Sequence, residues 1–216
     1  VDNSFMSPYA QRPIEFGVDV VMQSSTKSLS GHSDVLGGVL TTNDETLADR
    51  LRFMLKATGG VPSAFDNWIL LRSTKTLALR YQKSSDNATE LADWLKDQEI
   101  LNRVIYPGLD SHPQHNIAIK QQRTPEDTII FGNMISIDLG DLGLRDKFLK
   151  NLKVFTLAES LGGVESLVCV PYNMTHAAVP EKTKLEMGIT ETLVRLSVGI
   201  EDLVDLKEDL IKGLEK

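Results

Sequence analysis

The apolar residues of this chain change period as they run along it, and that change limits what the chain can fold into. Residues 18–22 (Val-Asp-Val-Val-Met) and 35–40 (Val-Leu-Gly-Gly-Val-Leu) are short β-branched runs that predict strands, the second with glycines where backbones approach closely. Thr42-x-x-Glu45 is a capping box, and Leu47, Leu51, Met54 and Leu55 then line one helical face until Gly59-Gly60 stops it. A longer helix is predicted over residues 76–97, with Leu77, Tyr81, Ala88, Leu91 and Leu95 at helical spacing. Val104-Ile105-Tyr106 runs into the turn Pro107-Gly108, and Ile135, Ile137 and Leu139 alternate with Ser136 and Asp138 as in a half-buried strand. Residues 144–152 predict a short helix and 193–198 a strand, while Leu203, Leu206, Leu210 and Leu214 form the stripe of a closing helix. Strands alternating with helices indicate an α/β architecture with at least one substantial sheet.

With 216 residues, 41% apolar and 25% charged, the chain can bury a real core. A net charge of -7 works against nucleic-acid binding, which needs clustered Lys and Arg. No run of about 18 apolar residues is present to cross a membrane, and no basic patch with an apolar stretch opens the chain, so a cytoplasmic location is expected. The single cysteine, Cys169, cannot form an internal disulfide and reads as a buried bystander in Leu167-Val168-Cys169-Val170. His112 and His115 in His-Pro-Gln-His lack a third ligand, and no metal is expected there. Val1-Asp2-Asn3-Ser4-Phe5 has no initiator Met and reads as a buried strand entering a loop, as in part of a longer polypeptide.

The densest polar cluster, Ser24-Ser25-Thr26-Lys27-Ser28-Leu29-Ser30-Gly31-His32-Ser33-Asp34, directly follows a predicted strand, where α/β sheets place ligands. Hydroxyls beside a lysine suit an anionic group. A partly desolvated lysine also becomes a neutral amine able to form a Schiff base with an aldehyde cofactor. Residue types alone leave open a polar surface loop with a solvated lysine. Arg195, lone in an apolar strand, is costly to bury unpaired, which a structural ion pair would explain.

Five blocks, in order, extend this reading. They are Val1-Asp2-Asn3-Ser4-Phe5-Met6-Ser7-Pro8-Tyr9 with Ser24-x-Thr26-Lys27-x-Leu29-x-Gly31-His32-Ser33-Asp34; Ile105-Tyr106-Pro107-Gly108-Leu109; Phe155-Thr156-Leu157-Ala158-Glu159-Ser160-Leu161-Gly162-Gly163-Val164-Glu165-Ser166-Leu167; Met174-Thr175-His176-Ala177; and Leu193-Val194-Arg195-Leu196-Ser197-Val198-Gly199-Ile200-Glu201-Asp202. Together they resemble the Cys/Met-metabolism (transsulfuration) family of pyridoxal 5'-phosphate enzymes. The resemblance implies a fold-type I, aspartate-aminotransferase-like transferase fold, with residues 1–84 closing the large cofactor domain and 85–216 forming a small carboxyl-terminal α/β domain. It further implies that Lys27 holds the cofactor, that Asp2 bonds the pyridine nitrogen, and that Ser24 and Thr26 donate to the phosphate. Ser25, where the family often has alanine, is expected to point elsewhere. Arg195 would grip the substrate carboxylate with support from Ser160, Glu159 would face the substrate's distal end, and Thr175 would line the same pocket. A homotetramer of active dimers is implied.

Glu159 in Ala-Glu-Ser-Leu-Gly-Gly resembles the γ-lyases and γ-synthases of the family, whereas β-lyases tend to have an apolar residue there. The reaction this implies is γ-elimination of cystathionine, a small sulfur amino acid, to cysteine, 2-oxobutanoate and ammonia, with hydrogen sulfide release as a side activity. The alternatives are γ-synthesis with the same residues, or a silent scaffold, the latter prompted by Ser28 where the family has tyrosine and Ser30 where it often has asparagine.

Overall fold

The computed structural model describes residues 1–215 and divides into two compact units, Val1–Gln82 with Asn116–Gly132, and Lys83–His115 with Asn133–Lys216. In chain order the elements are α1 (Ser7–Ala10), β1 (Val21–Ser24), β2 (Gly38–Thr41), α2 (Glu45–Thr58), α3 (Ala64–Thr74), α4 (Leu77–Leu95), β3 (Arg103–Ile105), α5 (His115–Gln121), β4 (Met134–Asp138), α6 (Leu142–Asn151), β5 (Thr156–Leu157), β6 (Leu167–Cys169), α7 (Glu181–Glu186), β7 (Leu193–Ser197) and α8 (Leu203–Leu214). The division falls within α4, after Gln82. Asn116–Gly132 returns to the first unit, where Ile130 joins a core of Ala10, Leu29, Leu77 and Tyr81, and Arg12 Nη1 donates to the carbonyl of Arg123 at 2.8 Å.

In the first unit β1 and β2 form an antiparallel ribbon, Val21 facing Thr41 and Ser24 facing Gly38. The opening residues lie parallel to β1, with Asp2 bridged to Met22 and the Asn3 amide on the Met22 carbonyl at 2.8 Å. This extended segment is exposed at Val1 and Asp2, unlike the buried strand its composition predicts. Helix α2 also departs from expectation. Its N-cap is Asp44, whose side chain accepts from the Leu47 amide, while Thr42 instead accepts from the Asp44 amide at 3.1 Å. None of its residues is buried, because periodicity reveals which face is apolar but not what covers it. Gly59 closes the helix in the left-handed region, φ 69°, as the Gly-Gly stop predicts.

The second unit is built on a five-stranded sheet, order β3-β4-β7-β6-β5, antiparallel except for the β5–β6 pair. Ile135, Ile137, Val194 and Leu196 on its two central strands are fully buried, as are Leu206 and Leu210 of α8 and Phe148 of α6. Gly213 lets these helices meet, since a Cβ there would lie 2.7 Å from the Phe148 ring. Asp209, buried in α8, accepts the amides of Lys153, Val154 and Phe155 at 2.7 to 3.0 Å and so fastens the entry to β5. At the end of β4, Asp138 is buried. Burial by itself raises its carboxyl, but hydrogen bonds from Thr192 (2.6 Å), the Gly140 amide (3.1 Å) and Asn102 (3.1 Å), with the charge of Arg103, outweigh that and hold it below the usual carboxylate range. A carboxyl lowered by folding stabilises at neutral pH, and its contribution is lost as pH falls through the acid range. Asp138→Ala is expected to cost about 2–3 kcal/mol at neutral pH, by stranding three donors. The difference from the parent should shrink at acid pH when urea unfolding is compared at both; an equal difference at both would refute the linkage.

Candidate active site

The eight candidate residues fall four into each unit. In the first unit, β1 ends at Ser24 and the chain enters a wide turn, Ser25–Leu29, closed by the Ser30 amide on the Ser25 carbonyl at 3.1 Å. Lys27 breaks the helical path inside it, with φ -91° and ψ -134°, and its side chain is half-buried. Asp2 sits on the strand alongside, bridged to Met22 two residues before Ser24, with one carboxylate oxygen accepting the Ser4 amide at 2.9 Å. The Ser4 hydroxyl accepts the Ser24 amide at 2.7 Å, tying Asp2's segment to the start of the turn. The hydroxyl of Ser24 makes no hydrogen bond among the described residues, whereas that of Thr26 accepts the Gly37 amide at 3.1 Å and reaches the Gly37 carbonyl at 3.4 Å. Asp2, Ser24, Thr26 and Lys27 are therefore gathered at one end of one strand pair. Ser25 turns inward, as expected. It is wholly buried and its hydroxyl has no partner.

In the second unit Arg195 occupies the middle of β7, in register with Ser136 of β4 on one side and Cys169 of β6 on the other. Its Nη2 donates to the Glu159 carbonyl at 3.0 Å, and its Nε is buried with no partner. No carboxylate pairs with it among the described residues, so the structural ion pair weighed from sequence is not formed. Glu159 is exposed and Ser160 half-buried in the loop after β5. Burial pushes the Cys169 thiol up, partly offset by the guanidinium beside it. Thr175 is exposed, its hydroxyl 2.9 Å from His176 Nδ1, and makes no hydrogen bond with Arg195. The structure thus joins Arg195 to the Glu159–Ser160 loop through the Glu159 carbonyl.

A fastening network that the sequence did not single out lies just beyond the end of β7. Glu201 accepts the Ser166 amide (2.6 Å) and hydroxyl (2.8 Å), and Asn87 donates to the carbonyls of Gly199 and Glu201. Arg80, within the apolar stripe of α4, is a second omission; an arginine three residues after buried Leu77 and beside buried Tyr81 was the available signal.

A lysine in a strand-to-turn switch with a carboxylate and a hydroxyl on neighbouring segments suits the holding of an aldehyde cofactor. Comparison with known proteins agrees. The family model described as Cys/Met metabolism PLP-dependent enzyme matches residues 1–215, and the chain belongs to that family. It is 47% identical to a cystathionine gamma-lyase of Bacillus subtilis over all of this chain and 55% of the relative, and 49% identical to a cystathionine beta-lyase of Coxiella burnetii over 99% and 54%. A cystathionine gamma synthase structure from Xanthomonas oryzae pv. oryzae superposes with TM-score 0.94 at 42% identity, covering 99% of this chain and 54% of that one. The α/β, fold-type I assignment holds. The chain spans about half the length of the relatives it matches.

A buried hydroxyl without a partner costs about 1–3 kcal/mol. Ser25→Ala is therefore expected to raise the stability of the full-length protein by about 1 kcal/mol in urea unfolding; a loss of stability would show that the hydroxyl is satisfied.

Proposed function

We propose that Lys27 anchors pyridoxal phosphate and that the whole protein carries out γ-elimination of cystathionine, taking up water and releasing cysteine, 2-oxobutanoate and ammonia. The observation that carries this reading is the gathering of Lys27, Ser24 and Asp2 at the end of β1, within a chain of this family. When bound, the cofactor supplies an electron sink for the substrate's α-carbon. The Asp2 carboxylate would face the pyridine nitrogen and keep it protonated. Ser24 would donate its hydroxyl to the phosphate, with Thr26 turning its proton from the long Gly37 contact to do the same. Lys27 Nζ would remove the proton at Cα and move protons at Cβ before the γ-sulfur leaves.

Arg195, held by one arm on the Glu159 carbonyl, keeps donors for the substrate carboxylate, and its buried, partnerless Nε fits that task. Ser160 would support the carboxylate and Glu159 would meet the distal ammonium, with Thr175 at the rim of the pocket. Glu159 is what favours γ- over β-chemistry, since relatives of both kinds stand at nearly equal identity. Cystathionine γ-synthesis uses the same groups and is separated by its products. In the same reading residues 1–84 belong to the cofactor domain and 85–216 to the small domain, and the protein works as a cytoplasmic homotetramer. Among the described residues no helix is long and apolar enough to cross a membrane.

In the full-length protein, Lys27→Ala is expected to abolish borohydride-fixed cofactor on the Lys27 peptide and to slow turnover at least about 100-fold, the usual contribution of one acid-base group. Arg195→Lys should raise KM about 10- to 100-fold, the equivalent of one charged hydrogen bond of roughly 1.5–3 kcal/mol. Pyruvate and homocysteine as products from the parent would move the assignment to β-elimination, and no fixed cofactor with no turnover would leave the silent-scaffold reading.

A further inference from the structure

Arg80 is 8% exposed, and burial lowers the guanidinium from its ordinary value. Among the described residues no carboxylate pairs with it. Its donors all go to neutral oxygens: Nη1 to the Ser28 carbonyl (2.8 Å), Nη2 to the carbonyls of Leu29 (3.3 Å) and Ser73 (2.9 Å), and Nε to the Thr76 hydroxyl (3.1 Å). A buried, unneutralised cation is expensive, so what it holds must need a rigid fork of donors rather than a point charge.

What it holds is the turn that carries Lys27. The backbone bonds closing that turn use the carbonyls of Ser25 and Lys27, through the amides of Ser30 and Gly31. The carbonyls of Ser28 and Leu29, the two residues after Lys27, are the ones Arg80 takes up, and its remaining donors fix it to Ser73 and Thr76 at the junction of α3 and α4. Gly31 completes the fit. It adopts φ +74°, and a methyl there would fall onto the Arg80 guanidinium. The departure of Lys27 from helical geometry is thus secured from behind by one side chain anchored about 50 residues further along the sequence.

We propose that Arg80 is the positioning residue for Lys27, setting the direction of its amine through the Ser28 and Leu29 carbonyls rather than serving only the stability of the fold. This rests on the reading of Lys27 as the cofactor lysine. A lysine misdirected by about 1 Å is expected to lose about 100-fold in reactivity while the protein stays folded.

The test uses full-length protein stripped of cofactor, with pyridoxal phosphate added and the Lys27 adduct fixed by borohydride and followed by peptide mass spectrometry over time. Arg80→Lys, which keeps charge but not the fork, should slow adduct formation about 10- to 100-fold with an unchanged circular dichroism spectrum. Thr76→Val, which removes the Nε acceptor together with the hydroxyl's own bond to the Ser73 carbonyl, should slow it less, about 3-fold, corresponding to the loss of one neutral hydrogen bond to Arg80 of about 0.6 kcal/mol. Hydrogen exchange at the amides of Ser30 and Gly31 should quicken in the same order. Folded variants that form the adduct at the parental rate, whatever their melting temperature, would overturn the proposal. Should Arg80→Lys fail to fold, the Thr76→Val rate decides it by the same criterion. If the parent itself forms no adduct at Lys27, it is the cofactor assignment that falls.

Discussion

The second unit depends on β7 being paired on both sides. Its amides and carbonyls are spent on β4 and β6, and its alternate side chains Val194 and Leu196 are removed from water entirely. A central strand of this kind cannot shift register by one residue without moving its whole apolar set to the other face. Arg195 inherits that rigidity. It stands in line with Ser136 and Cys169, and its guanidinium reaches the Glu159 carbonyl because β5 pairs parallel with β6 and delivers the following loop to the same sheet edge. Asp209 accepts the amides just before β5 and Glu201 the Ser166 amide just before β6, so both fasten the start of that parallel pair.

The first unit solves a different problem. A turn that departs from helical geometry leaves backbone carbonyls without their usual amide partners, and a buried carbonyl must be satisfied somewhere. Here the answer is a guanidinium, whose planar fork reaches carbonyls on adjacent residues in a way an ammonium does not. The cost is a buried charge with no counter-ion among the described residues. Natural proteins retain such costs where geometry matters more than stability, which is consistent with the Ser25 hydroxyl being left unsatisfied at the start of the same turn.

Family membership fixes the class of chemistry more firmly than the reaction. A γ-lyase is 47% and a β-lyase 49% identical to this chain, and a γ-synthase superposes at TM-score 0.94. Groups common to such enzymes are those that hold the cofactor and the α-carboxylate, whereas the bond that breaks depends on where the substrate's far end rests. In the proposed reading the residue meeting that end is Glu159, which is exposed on the loop after β5.

Local geometry made much of this legible in the amino-acid sequence alone. Alternation at Ile135, Ile137 and Leu139 and helical spacing from Leu77 to Leu95 declare buried faces directly, because side-chain periodicity is set by the backbone nearby. The polar run around Lys27 likewise marks a candidate site, since the backbone after a strand end is where hydroxyls and an amine can converge. Other features depend on residues far apart in sequence. The bare face of α2, the return of Asn116–Gly132 to the first unit and the parallel β5–β6 pair follow from what is nearby in space. Arg80 belongs with these. Its residue type and helical position are plain in the sequence, but the carbonyls it serves lie about 50 residues away, and only the packing of α4 against the turn brings the two together.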